Sequence, residues 1–496
     1  MKKVLLVNRG VIASSILATC IALRLLGIKI KLVLLFTQED ADRPYLKLAR
    51  RFKHTTVCLG KENAEGPSVY MDIKKIVGIG KKYRCKWVHL GTGMGSENWK
   101  IIKAFQEAGI QNIGATWKQV RLACNKIRAI RTAMKLGIPV KPGSHRVLKG
   151  LLDAFKIARK IGYPVMLKPV NGGGGKGIAV CFSAKDLVRQ FADAARKAKK
   201  FFGSDELYME KFFHNIRHVE VQVYGYKKNG KHFAKSGGVR GCTAQSDHQK
   251  EAEESPAPWV TEDQQRQMEE WAVEFVKEMK IVGLCTVEFV IDCETGEIYF
   301  GEINVRIQVE HAITGIRYGI NLILLQLFIA FGLPVEYILD KLKPKGYTLE
   351  VRVCAKHFDA KIGCFVASHY DSTVKVLKFL APKGRGVHVY PGIGKGSILT
   401  EHYDTLIALV VTEGKTREEC IKRMLLALSQ FEIEGVKTNI SFLRALLNHP
   451  EFVKGDYNSS ITKKVKNYLV AKEKLWEKRL KHIERMENNM SYGNEC

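Results

Sequence analysis

Short apolar runs and stretches of helical period take turns along the opening of the chain. Val4–Val7 is apolar and stops at Asn8-Arg9-Gly10; a helical pattern follows from about Ile12 to Leu26. Lys29–Phe36, Thr56–Leu59 and Trp87–Leu90 are further strand-like runs with helical pieces between them. Alternating strand and helix predicts a parallel, doubly wound α/β unit over residues 1–115. Beyond it the pattern changes. Pro164–Lys168 and Ile178–Phe182 read as strands joined by Asn171-Gly-Gly-Gly-Gly-Lys-Gly177, and residues 132–204 read as a small mobile lid. Leu207–Lys211 and His218–Val223 are strand-like, Gly241–Lys250 is polar and loop-like, and Thr261–Met279 is helical. Asn321–Phe331 is an apolar helix, and Leu349–Ala355 opens a strand-rich region running to about Thr412. Thr416–Gln430 is helical, and a charged segment, expected to be a solvated helix, closes the chain.

The most informative pattern is Thr286–His311. Glu302, Asn304, Arg306, Gln308 and Glu310 occupy every second position, separated by Ile303, Val305, Ile307 and Val309. A period of two predicts a strand with five polar side chains on one face. Thr286–Asp292 reads as its partner, with the turn at Cys293–Glu297. A hairpin centred on Thr295 sets Glu288 directly opposite Glu302. Like charges about 5 Å apart are unfavourable there. A divalent cation reverses that cost, because Mg²⁺ is held by one or two carboxylates plus substrate phosphates. The row is therefore a candidate metal and anion site.

Two glycine-rich segments add candidates. His89–Asn98 follows a strand, where α/β sheets place ligand sites. Gly172, Gly173, Gly174, Gly175 and Gly177 expose bare amides suited to phosphate oxygens. Lys176 is followed by Gly177 where a P-loop needs Ser or Thr, and no GxGxxG follows the first strand. A dinucleotide site is not supported.

Composition changes the picture little. The 496 residues allow two to four domains. Lys and Arg number 80 against 50 Asp and Glu, a net charge of +30, but the charge is dispersed except for the Lys-rich tail after Lys463. Nucleic-acid binding is not read from it. Twelve cysteines lack CxxC pairs and zinc spacing, which points to reduced thiols and a cytoplasmic compartment. The N-terminal apolar run is broken by Asn8 too early for a signal peptide, and no membrane span is expected.

Across Val4 to about Tyr457 the chain resembles the biotin carboxylases of the ATP-grasp superfamily. The carriers are Val7-Asn8-Arg9-Gly10 with Ile12-Ala13, the strand holding Lys168 with its glycine loop, and Tyr208-Met-Glu-Lys211. Arg217–Val223, His248-Gln-Lys250, Glu302–His311, Tyr403-Asp404 and Glu434–Asn439 complete them. The resemblance implies an α/β and α+β architecture. A pre-ATP-grasp domain would cover 1–115, an ATP-grasp domain with its glycine-rich lid 116–331, a biotin carboxylase C-terminal domain 332–460 and a charged tail 461–496. It implies carboxylation of biotin by bicarbonate and ATP, through carboxyphosphate. Lys126, Lys168 and the lid glycines would hold ATP phosphates; Glu210, Lys211 and Phe213 would border the adenine; His218 and His248 would lie beside the nucleotide. Glu288, Glu302 and Asn304 would bind Mg²⁺ or Mn²⁺, and Arg306, Gln308 and the Val309 amide bicarbonate. Glu310 would be the base, Arg352 would stabilise the biotin enolate, and Lys250 would sit on the transferring phosphate.

Lys135, in Ala133-Met-Lys-Leu136, reads as an ordinary helical lysine. The resemblance thus implies a separate biotin carboxyl carrier protein, separate carboxyltransferase subunits and a homodimer. Such a subunit serves acetyl-CoA carboxylase in fatty acid biosynthesis, or a related acyl-CoA or pyruvate carboxylase. The chain departs from the family pattern at Val11, Leu90, Thr92, Met94-Gly95, Val239, Gly241, Ser246, Asp247 and Leu409. These departures, mostly toward the biotin and bicarbonate side, motivate an alternative reading as a nucleotide-binding pseudoenzyme with a structural or regulatory role. A third reading, an ATP-grasp ligase for another acceptor, is disfavoured by the match from Arg306 to Glu310 and at Arg352.

Overall fold

The apolar runs near the N-terminus become the inner strands of a parallel sheet. In the computed structural model, which describes residues 1–63, 68–171, 177–247, 249–368 and 373–491, five strands stand in the order Thr55–Cys58, Ile30–Phe36, Lys2–Leu6, Trp87–His89, Gln111–Asn112. Val4, Leu5 and Leu6 are wholly buried because helices cover both faces, as a parallel sheet requires. The helix Gly10–Leu25 starts directly after the first strand. This places Asn8, whose amide donates to the Leu90 and Thr92 carbonyls, at the sheet's carboxyl edge beside the Gly91–Gly95 loop.

The rest is organised on one eight-stranded antiparallel sheet. Its order is Ile298–Asn304, Gly283–Asp292, Ile216–Lys228, Lys231–Ser246, Gln249–Ser255, Tyr347–Cys354, Leu406–Gly414, Val387–Pro391. Strands before and after residue 331 thus share one hydrogen-bonded ladder. The helix Glu262–Glu278, opened by a reciprocal Thr261–Gln264 cap, packs Phe275 against Phe300.

A separate three-stranded sheet, Ala179–Cys181, Val165–Pro169, Leu207–Lys211, is antiparallel throughout. The helices Leu151–Ile161 and Ala184–Phe202 close it around Leu167, Leu187 and Met209. The two strands expected to flank the glycine loop do pair as a hairpin, with Gly177 at φ +78°. Gly172, Gly173, Gly174, Gly175 and His248 lie outside the described residues.

Three expectations need correction. Gly241–Lys250 is not a loop: it forms most of a hairpin, turning at Asp247 with φ +51°. Its polar side chains are tolerated in buried strands because each charge finds a partner across the sheet, as Arg240 does with Glu220. The alternating row is not one strand either. Pairing ends at Asn304, and Glu310 immediately precedes the helix His311–Tyr318. Arg306 gathers Asn304 Oδ1, the Ile307 carbonyl and Gln308 Oε1 around its guanidinium, which curls the chain out of the ladder. The terminal helix Ile461–Ser491 is not solvated from its start, since Ile461 and Val465 are wholly buried. Lys135 lies in the helix Lys126–Lys135 and pairs with Glu278 at 2.6 Å, as an ordinary helical lysine would. Among the described residues, no single helix is long and apolar enough to cross a membrane.

Candidate active site

The hairpin register puts Glu288 directly opposite Glu302. Glu288 Oε1 accepts from Asn304 Nδ2 at 2.6 Å, and Oε2 lies 2.8 Å from His218 Nε2. Gln245 Nε2, 2.7 Å from His218 Nδ1, orients that ring. Glu302 receives Lys126, which begins the helix Lys126–Lys135 and so points its charge at the hairpin. Two carboxylates and an amide oxygen on neighbouring positions form the oxygen-rich set that Mg²⁺ takes. Burial raises the Glu288 carboxyl, but His218 and Lys250 outweigh it and hold the group low. Glu288 is therefore ionised and available to a cation.

A second cluster sits on the small sheet. Glu210 Oε1 accepts from Lys168 at 3.0 Å and from Lys141 at 3.2 Å. Burial opposes ionisation of Glu210, yet the two lysines hold its pKa down to about 2. Lys211 is turned elsewhere: its Nζ donates to the Gly162 and Tyr163 carbonyls. Phe213 stacks on Tyr299 with ring centres 5.3 Å apart.

The third cluster lies where the row leaves its strand. Arg306 donates to Glu97 at 2.9 Å and to Thr92 Oγ1 at 3.0 Å. Gln308 Oε1 is taken by Arg306, while its buried Nε2 finds no partner among the described residues. A buried donor left open beside a guanidinium is set for an anion, because an unmade hydrogen bond there is costly. Glu310 is 1% exposed and receives Lys250, with Arg352 Nη2 at 3.1 Å. Burial raises its pKa, but Lys250 and Arg352 hold it well below the usual carboxylate range. Arg352 is steadied by Glu253 Oε1 at 2.8 Å. Glu220, wholly buried, joins Lys250 to Arg240. Beside this cluster a cavity of about 290 Å³ is lined by Val11, Thr92, Met94, Val309, Leu406 and Leu409.

All described residues picked from the sequence except Lys211 and Phe213 thus fall into these three clusters or, for Val309 and Gly177, border a cavity or the lid. Lys141, Glu97, Glu220, Arg240 and Glu253 were missed. Glu220 shares its alternating strand with His218, a usable signal. Lys141 carried none, since only the tertiary fold brings it to Glu210.

A nucleotide-type lid over a sheet whose edge carries facing carboxylates and converging lysines defines an ATP-dependent ligase of the ATP-grasp class. The family models agree: the biotin carboxylase N-terminal domain matches residues 1–120. The carbamoyl-phosphate synthase L chain ATP binding domain matches 125–338, and the biotin carboxylase C-terminal domain 350–464. The chain is 35% identical over 473 residues to the biotin carboxylase of Halalkalibacterium halodurans, covering 95% of this chain and 98% of that one. It is 36% identical to that of Haemophilus influenzae, over 92% of this chain and 97% of the relative. The biotin carboxylase domain of Hydrogenobacter thermophilus 2-oxoglutarate carboxylase, solved as a dimer with MgADP, ADP and bicarbonate, superposes with a TM-score of 0.85 at 32% identity. That match covers 95% of this chain and 98% of the other. The chain belongs to the biotin carboxylase family.

Proposed function

We infer that the three clusters carry out the carboxylation of biotin by bicarbonate and ATP, each with a separate task. The single observation that carries this reading is Glu310, ionised and held between Lys250 and Arg352, next to the open Nε2 of Gln308. Phosphoryl transfer needs positioning and charge neutralisation more than covalent help from the protein. Lys126 and Lys168 approach the triphosphate, the lid glycines offer it their amides, and Glu210 lies beside the adenine, while the Lys211 side chain, bound to the Gly162 and Tyr163 carbonyls, takes no part. Glu288, Glu302 and Asn304 hold Mg²⁺ or Mn²⁺, which when bound neutralises phosphate charge. His218 and His248 flank the nucleotide. Arg306, Gln308 and the Val309 amide seat bicarbonate, and Glu310 takes its proton. Bicarbonate oxygen then attacks the γ-phosphorus, ADP leaves, and carboxyphosphate forms with Lys250 on the transferring phosphate. Biotin enters the cavity lined by Thr92, Met94 and Val309. Carboxyphosphate breaks down to CO2 and phosphate, and the phosphate takes the biotin N1 proton. Arg352 beside Glu310 stabilises the resulting enolate, and N1 bonds to the CO2 carbon.

The departures from the family pattern are absorbed structurally. Gly241 is packed against Trp259: a Cβ there would meet the indole at 2.9 Å. Val239 is wholly buried, and Asp247 lies in the exposed turn, 3.7 Å from Lys466. Of the departures, Thr92 touches the anion-binding arginine, and it supplies a hydroxyl that accepts from it. This favours the enzyme over a pseudoenzyme.

Biotin arrives on a separate carrier protein, a separate carboxyltransferase takes the carboxyl group, and the chain works as a homodimer. A reducing, cytoplasmic setting suits the described cysteines, Cys20 to Cys420, all free thiols. ATP hydrolysis measured with and without bicarbonate and free biotin tests the reading. Biotin-stimulated turnover that disappears in Glu310→Gln supports it. Nucleotide binding without stimulated turnover refutes it.

A further inference from the structure

Each candidate phosphate-side lysine rests on a carboxylate. Lys126 lies on Glu302, Lys250 on Glu310 and Lys168 on Glu210. For a lysine to reach a phosphate, its carboxylate must be left behind. A buried carboxylate stripped of its cation is strongly destabilised. Glu302 has the divalent cation as its replacement partner, and Glu310 keeps Arg352. Glu210 has neither, and it is only 7% exposed.

What Glu210 does have is Lys141. The segment carrying Lys141 is tied on both sides. Phe300 N donates to the Pro139 carbonyl at 2.8 Å, and Val140 bridges Phe300. On the other side, Lys211 N donates to the Pro142 carbonyl at 2.7 Å, and Gly143 bridges Glu210. Lys141 is thus fixed beside Glu210 by backbone bonds. Lys168 stands near the end of Val165–Pro169, just before the glycine segment, where it is placed to follow the nucleotide. Burial and Lys168 push the Lys141 charge down, with Glu210 opposing them. Withdrawal of Lys168 toward phosphate relieves that repulsion.

We propose that Lys141 is a positioning residue: it keeps Glu210 neutralised so that Lys168 can leave the carboxylate and bind the nucleotide phosphates. This rests on the assignment of Lys168 to the nucleotide made above. Without Lys141, Lys168 is the one cation among the described residues paired with Glu210 and is held there.

Calorimetric titration of the full chain with MgADP tests it, with Lys168→Met as a control on the underlying assignment. If Lys168→Met binds MgADP like wild type, the assignment of Lys168 to the nucleotide fails, and the proposal with it. With that control weakened, Lys141→Met is expected to weaken MgADP about tenfold, the equivalent of ~1.4 kcal/mol. Lys141→Arg retains affinity. On a Glu210→Gln background, which already carries whatever Glu210 itself contributes to nucleotide binding, adding Lys141→Met costs little further affinity, since the trap that holds Lys168 is gone; a merely structural or a direct phosphate-binding lysine loses the same tenfold on either background. Far-ultraviolet dichroism of each variant, with Lys141→Arg as the conservative control, guards against reading a misfolded protein as a weakened one. Wild-type affinity in Lys141→Met, or the same tenfold loss when Lys141→Met is added to Glu210→Gln, overturns the proposal.

Discussion

Arg352 Nη2 donates to Glu310 Oε2 at 3.1 Å while the same nitrogen reaches Glu253 Oε1 at 2.8 Å. The guanidinium is therefore shared between a carboxylate that steadies it and one that faces the anion site. In the proposed reading Glu310 is a base whose charge is already compensated. Replacing it by Gln keeps the shape and removes the proton acceptor. Biotin-stimulated turnover should fall 10²–10⁴-fold, the usual contribution of a general base. Far-ultraviolet dichroism should stay unchanged, and an unaltered rate would refute the assignment.

His89 makes a pH prediction. It is 1% exposed, and Gly91 N donates to its Nδ1 at 3.1 Å, which needs a neutral ring. Burial lowers its pKa to about 3, from an unfolded value near 6.5. Because the folded value is depressed, the stabilisation is present above about pH 6.5 and is lost as pH falls from there toward about 3. Urea denaturation at two pH values below 6.5 should show His89→Gln losing less stability than wild type. The expected difference is about 1.4 kcal/mol per pH unit. Parallel curves would remove His89 as the cause.

The facing carboxylates predict a metal requirement that mutation can shift. Chelation should stop turnover and leave the fold intact, since Lys126 and His218 already compensate Glu302 and Glu288. Glu288→Gln should raise the Mg²⁺ concentration for half-maximal turnover by about tenfold or more, the range for loss of one anionic ligand interaction of ~1.4 kcal/mol. A Mg²⁺ dependence equal to wild type would count against Glu288 as a ligand.

Placing a carboxylate at Gly241, one of the positions where the chain departs from the family pattern, should harm this chain. A Cβ would lie 2.9 Å from Trp259 and 3.0 Å from Ala257, and a carboxylate would be buried with them. Overpacking of this kind costs about 1–3 kcal/mol, and the buried charge adds to it. Gly241→Asp should lower the melting temperature by several degrees. The loss should shrink when Trp259 is replaced by Leu in the same chain.

Much of this site was legible in the order of residues. Alternation from Glu302 onward, with the turn at Thr295, predicts Glu288 against Glu302. The structure pairs them by way of a β-bulge: Phe289 faces Phe300, one residue off the predicted register, and the extra residue Gly301 restores it. The strand before and after the glycine segment, and Lys168 beside it, were equally local. Periodicity also overreached: it made one strand of Arg306–Glu310, where side-chain hydrogen bonds to near neighbours bend the chain instead. It also made a loop of Gly241–Lys250, since buried ion pairs let polar residues occupy a sheet interior.

The sequence by itself determined most of the strands and the alternating polar row, because these depend on neighbours a few residues apart. Only the tertiary structure decided which charges meet across long separations. Lys126 with Glu302, Arg352 with Glu310 and Lys141 with Glu210 are joined by sheet order and chain crossing, which no local period encodes. That pairing holds Glu210 and Glu310 ionised despite their burial, and so sets what each can do.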